Sequence, residues 1–165
     1  MKLKGLIAAA FAGIISFGAM NAANADDLGK QGTFSGQIGL VALSENVMAM
    51  AENHLYIVGK YAGTSTNSSG SGFLQNTAWA CGGTTEIVDG VPTGIGYCTV
   101  TDQDGDQISG QWSCTAGTDD CDQYFDIGGT GKYEGMQSHN KFKLMFIGST
   151  GHFNSFLWDG AYTIP

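Results

Sequence analysis

From Thr33 onward the chain alternates. Phe34, Gly36, Ile38, Leu40 and Ala42 fall on one side of an extended segment, with Thr33, Ser35 and Gln37 on the other. This period of two marks a strand with one buried face. His54–Ala62, through Leu55, Ile57 and Val58, reads as a second strand, and Gly72–Cys81 as a third with Phe73 and Trp79 on one face. Between the first two, Ser44–Asn53 fits either a strand or a short helix capped by Ser44 and carrying Val47, Met48 and Ala51. Gly63–Gly72 reads as a flexible polar loop. An excursion through Asp89-Gly90 and Pro92 leads to a strand at Ile95–Thr101. Asp104-Gly105 is the dipeptide of a type I′ hairpin turn. After it, Ile108, Gly110, Trp112 and Cys114 share one face while Gln107, Ser109, Gln111 and Ser113 share the other. Gln123–Ile127, Tyr133–Gln137, Phe142–Gly148 and His152–Tyr162 complete the set. Strands recurring every roughly 8–15 residues, with turn signals between, predict an all-β barrel or sandwich. Closing the barrel removes the edges that a Gly-rich sheet otherwise exposes.

The N-terminal segment breaks this pattern. Lys2 and Lys4 precede a largely apolar stretch, Leu6–Met20, and Ala23-Asn24-Ala25 is a small-x-small cleavage site. Residues 1–25 therefore read as a signal peptide and 26–165 as one exported domain, periplasmic or extracellular. Leu6–Met20 is too short for a membrane span, and no other stretch approaches the roughly 20 apolar residues needed.

Composition narrows the partners. The formal charge of the whole chain is −8. Without Lys2 and Lys4 it is −10, five lysines against fifteen carboxylates, and there is no arginine. Nucleic acid requires arrays of basic side chains to displace counterions, so it is excluded as a partner. An acidic surface instead favours solubility or a cationic partner. Of 26 glycines, 23 lie beyond residue 25, spread among Thr, Ser, Tyr, Phe and Ile. That mixture suits a curved antiparallel sheet.

Four cysteines in an exported chain point to disulfides. Cys114 and Cys121 enclose only a short loop, and Cys81 and Cys98 flank the excursion where two strands can face each other. The expected pairs are Cys81–Cys98 and Cys114–Cys121, each contributing ~2–4 kcal/mol through loop closure. Zinc ligation is not supported, because no CxxC pair exists and no histidine lies at ligand spacing. Asp102, Asp104 and Asp106 alternate as at the start of a calcium loop, making them the candidate metal ligands. An EF-hand would also need Gly at 107 and Glu at 113, where this chain has Gln107 and Ser113, so an acidic hairpin turn is the better reading. Gly128–Lys132 lacks the spacing of a phosphate loop. Glu52, Glu86 and Glu134 are isolated carboxylates, and His54, His139 and His152 are expected to lie apart from any buried Asp or Glu inside a cavity. No cofactor motif and no nucleophile motif occurs.

Two segments together carry a family resemblance: Cys98-Thr99-Val100-Thr101-Asp102-Gln103-Asp104-Gly105-Asp106-Gln107-Ile108 followed by Trp112, and Gly128-Gly129-Thr130-Gly131-Lys132-Tyr133-Glu134-Gly135-Met136. This pattern resembles a group of small exported bacterial proteins and is similar to the allene oxide cyclase and dirigent barrel group, whose members carry a late G-G-T-G turn. The resemblance implies a closed antiparallel barrel of about eight strands around an apolar cavity that binds a small hydrophobic ligand. It transfers no catalytic residue. Trp112, Tyr133 and Glu134 are the ligand-site candidates, the last two because they flank the glycine turn. Two alternatives remain: an acidic protein-interaction module, such as an inhibitor of a cationic secreted enzyme or an envelope-surface component, and a cofactor-free cyclase-like enzyme. Intact-mass analysis of the exported protein is expected to place its N-terminus at Asp26; retention of residues 1–25 would overturn the processing assignment.

Overall fold

The computed structural model describes residues 28–115, 120–147 and 152–165. Eight strands occupy nearly all of them: β1 Gln31–Ala51, β2 His54–Asn67, β3 Thr77–Val88, β4 Val91–Thr101, β5 Gln107–Cys114, β6 Asp120–Gly129, β7 Gln137–Ile147 and β8 Phe153–Thr163. Each pairs antiparallel with the next, and β1 pairs with β8, so the sheet closes into a barrel. No helix among the described residues is long and apolar enough to cross a membrane. A single 3-10 turn, Gly131–Tyr133, interrupts the strands.

Several sequence expectations change in register and extent. The open choice at Ser44–Asn53 resolves as strand: β1 runs 21 residues, and Ser44–Ala51 pairs with β2 past a bulge between Ala42 and Ser44. Gly63–Asn67 is not loop but the end of β2, held between β1 and β3. Conversely, Gly72–Asn76 is turn rather than strand, and β3 starts at Thr77. The Asp89-Gly90 excursion is a two-residue hairpin in which both residues have positive φ, 51° and 79°, between the paired Val88 and Val91. That is the type I′ geometry expected at Asp104-Gly105. At the latter site only Gly105 is left-handed (φ 88°), and Asp102–Asp106 forms a longer loop. Tyr133–Gln137 is also not a strand, since Tyr133 closes the 3-10 turn and β7 starts at Gln137.

The inward-facing rows are packed unevenly along the barrel axis. At the end formed by the start of β1 and the finish of β8, Phe34, Val100, Ile108, Phe125, Met136, Trp158 and Tyr162 are buried. The segment after Asn67 folds under this end and inserts Phe73 and Leu74, which are 2% and 1% exposed. Phe73 contacts Phe34, Phe125, Tyr133 and Tyr162, with ring centroids 4.9–5.9 Å apart. Such contacts add specificity to the burial itself. The segment is pinned by polar groups as well: the Asn67 side chain donates to Phe73 O (2.9 Å), and Gln75 Oε1 accepts from Asn67 N–H (2.7 Å). Ser65 Oγ donates to Leu74 O at 2.8 Å and accepts from Trp79 Nε1 at 2.9 Å. Leu74 is held at φ 62°, a conformation that costs a branched residue on the order of 1–2 kcal/mol and is offset by burying two large side chains.

Both disulfides form as expected. Cys81–Cys98 joins directly opposed residues of β3 and β4, and Cys114–Cys121 joins β5 to β6. Beside them, Trp112 lies against a row of inward-facing glycines. A Cβ placed on Gly83, Gly94 or Gly96 would stand 2.5, 3.1 or 2.6 Å from the indole. Three absent side chains thus make the seat for one large one.

Phe73→Ala is expected to lower the unfolding free energy by about 3–5 kcal/mol, because it opens a cavity at the centre of the aromatic cluster. Exposed Ser71→Ala should change it by less than about 0.5 kcal/mol. Urea unfolding followed by tryptophan fluorescence checks both, and equal effects would refute the role given to Phe73.

Candidate functional site

Toward the opposite end the interior is not filled. Inward residues there bound a cavity of about 470 Å³. Its walls are apolar: Ile38 and Leu40 from β1, Ile57 from β2, Trp112 from β5, Phe142 from β7 and Phe156 from β8. Phe142 and Phe156 meet edge to face at 5.6 Å. Trp79 and the Cys81–Cys98 bridge form the inner part beside Gln123. Gln123 and Asn140, each 2% exposed, are paired across β6 and β7, and the Asn140 amide donates to Gln123 Oε1 at 3.3 Å. A polar pair is therefore set into the wall where the packed end gives way to the cavity.

The mouth carries the ionisable chemistry. Glu45 and Tyr61 both line the cavity. The Tyr61 hydroxyl donates to Glu45 Oε1 at 2.9 Å, and His152 Nδ1 lies 3.6 Å from Glu45 Oε2. Burial, reinforced by the hydrogen bond to Glu45 and its negative charge, pushes the Tyr61 hydroxyl up to about 12. Tyr61 therefore stays a proton-bearing donor at neutral pH, and the Glu45 carboxylate is the acceptor. The bulge at Ala42/Ser44 sets the inward row that Glu45 continues, opposite Gly59.

Of the ligand-site candidates, Trp112 lies in the cavity wall. Tyr133 and Glu134 sit at the packed end: Tyr133 is 4% exposed in the core and Glu134 is exposed on the turn. The three candidate metal ligands do come together, but around a lysine. Lys132 Nζ stands 2.7 Å from Asp102 Oδ2 and 2.5 Å from Asp104 Oδ2. Asp102 Oδ1 accepts the N–H groups of Asp104 and Asp106, and Asp106 Oδ2 accepts Lys132 N–H at 3.1 Å. The two segments that carry the family resemblance are thus the two halves of one clamp. Burial of Asp102 opposes its ionisation, but hydrogen bonds from Lys132 and Tyr133 outweigh it and hold the carboxyl below its ordinary value. Burial, with the neighbouring aspartates, drives the Tyr133 hydroxyl strongly upward.

Each histidine approaches a carboxylate that is at least partly exposed. His54 Nε2 is 2.6 Å from Glu86, and His139 Nε2 is 2.7 Å from Asp122, which also meets Lys141 at 2.8 Å. Both pairs are on the outer face, where neighbouring strands bring alternate residues together. His152 alone approaches a cavity residue. Glu45, Tyr61, His152 and Gln123 were not singled out in the sequence as site residues. Glu45 falls in the segment of undecided secondary structure; the pairing of β1 with β2 and β8 brings Tyr61 and His152 to it, and the pairing of β6 with β5 and β7 sets Gln123 in the wall.

No family model and no curated protein matches the chain. Among solved structures, the fold is similar to two pterocarpan synthase dirigent proteins. GePTS1 superposes with a TM-score of 0.52 at 12% identity, covering 82% of this chain and 92% of that one. PsPTS1 superposes with a TM-score of 0.53 at 11% identity, covering 81% and 95%. At these identities the likeness is one of fold.

A carboxyl whose folded pKa lies below the ordinary 3.8 stabilises the native state above that value, and the contribution is lost as pH falls through the lowered one. Asp102→Asn is therefore expected to lower stability by on the order of 1–3 kcal/mol at neutral pH, with the gap to the parent narrowing as pH falls below 3.8. Urea midpoints across pH check this, and a gap that stays constant with pH would exclude the ion-paired role of Asp102.

Proposed function

We propose that this chain is an exported barrel whose open end binds a small, mainly apolar molecule. The observation that carries this reading is the cavity of about 470 Å³, walled by aliphatic and aromatic side chains and interrupted by a few polar groups. Ligand sites have this composition and lie within this range of volume. The fold likeness to two pterocarpan synthase dirigent proteins supports it, as does the resemblance of the sequence to the allene oxide cyclase and dirigent barrel group. Export fits the two disulfides, which persist in oxidising compartments.

The alternative of an acidic interaction module draws less support from the placement of charge. Lys132 engages Asp102 and Asp104, and Lys141 and His139 engage Asp122, so these three carboxylates already have partners within the molecule. A cyclase-like activity would need an acid or base at the bound molecule. Glu45, held by Tyr61, is the group placed to act there.

Leu40→Trp should fill part of the cavity while leaving the packed end intact. Binding of the neutral dye Nile red, followed by its fluorescence, is expected to weaken at least tenfold in this variant with an unchanged far-UV circular dichroism spectrum. Nile red bound equally by both proteins, or by neither, would argue against a ligand site in the barrel.

A further inference from the structure

We propose that the cavity takes an organic cation, its apolar body seated among Trp112, Phe142 and Phe156 and its protonated amine at the mouth against the Glu45 carboxylate. This rests on the reading of the cavity as a ligand site and adds the charge of the ligand.

The argument begins with what lines the space. Glu45 is the only charged side chain among the described residues of the cavity wall. No lysine faces it, and the chain has no arginine. The two internal segments outside the described residues, 116–119 and 148–151, contain no basic residue in sequence. An anionic ligand, such as a fatty acid, would therefore enter a site whose one charge repels it, with no lysine or arginine in the described wall to pair with its own carboxylate. Burying that group unpaired is costly.

Glu45 is also prepared to receive a cation. Its side chain is 21% exposed, so part of its hydration is already lost. Oε1 is engaged by the Tyr61 hydroxyl, which fixes the carboxylate, while Oε2 stands 3.6 Å from His152 Nδ1. His152 is 68% exposed and is not part of the cavity wall, so it flanks the carboxylate without sealing it. Charge-assisted hydrogen bonds to an ammonium group are about twice as strong as neutral ones. The net negative charge of the protein draws cations toward the mouth.

The test uses three ten-carbon probes that differ only in the head group: decylamine, decanol and decanoate, titrated at pH 8 by isothermal calorimetry. Decylamine is expected to bind at least about tenfold tighter than decanol, the scale of one charge-assisted hydrogen bond, and decanoate weakest of the three. Glu45→Gln should bring decylamine to the level of decanol and leave decanol within twofold. Exposed Asp126→Asn, on the outside of the barrel, should leave the order unchanged. Decanol and decylamine binding equally to the parent protein would overturn the proposal while the ligand-site reading stands, as would a preference for the amine that survives Glu45→Gln. Failure of all three probes to bind would remove the ligand-site reading itself. The ranking in the parent protein decides the matter even if the Glu45 variant does not fold.

Discussion

Phe73 packs at the centre of the aromatic cluster that closes one end of the barrel, and the rest of the molecule is arranged around the asymmetry this creates. A closed eight-stranded sheet has a fixed interior, wide enough for side chains or for one small ligand. Phe34, Phe125, Tyr133 and Tyr162 converge on Phe73, so a large share of the bulky inward side chains is committed to that end. The other end keeps aliphatic and aromatic walls but not enough volume to fill the space between them. A packed end gives the stability, and the open end is left free for another purpose.

Local devices keep the open end from collapsing. The Cys81–Cys98 bridge ties two opposed wall residues together, and Cys114–Cys121 does the same for the next strand pair. Trp112, held on its glycine seat, lies flat along the wall instead of crossing the interior. Gln123 and Asn140 place a hydrogen-bonded pair where the two halves meet. At the packed end, the clamp of Asp102, Asp104 and Asp106 on Lys132 and its backbone joins the β4–β5 loop to the turn before β7. Acidic residues that look like a metal loop in isolation thereby become part of the frame.

Electrostatics divides the same way. Where carboxylates meet lysine or histidine they are neutralised on the outer surface or at the packed end. Glu45 is different because it points along the wall of an apolar space with a tyrosine hydroxyl for support. It is the one charged group in the described wall of the cavity.

Much of the barrel was legible in the sequence because a strand's period of two is a local property. The faces assigned to Phe34–Ala42 and Ile108–Cys114 are those found, and the facing of Cys81 with Cys98 followed from strand ends and loop size. Other features depend on contacts distant in sequence. Gly63–Asn67, polar and rich in small residues, is a strand because it has β1 on one side and β3 on the other. Phe73 reads as a strand residue until the turn that carries it is seen to fold beneath the barrel. Lys132 reads as a solvated charge until the hairpin 26 to 30 residues before it closes on it. The sequence by itself determined an all-β chain with two short-range disulfides, since alternation, turn dipeptides and cysteine spacing act over a few residues. Only the tertiary structure decided which end of the barrel is filled and that Glu45, Tyr61 and His152 meet at the other, because closure between the first and last strands brings together residues more than 100 positions apart.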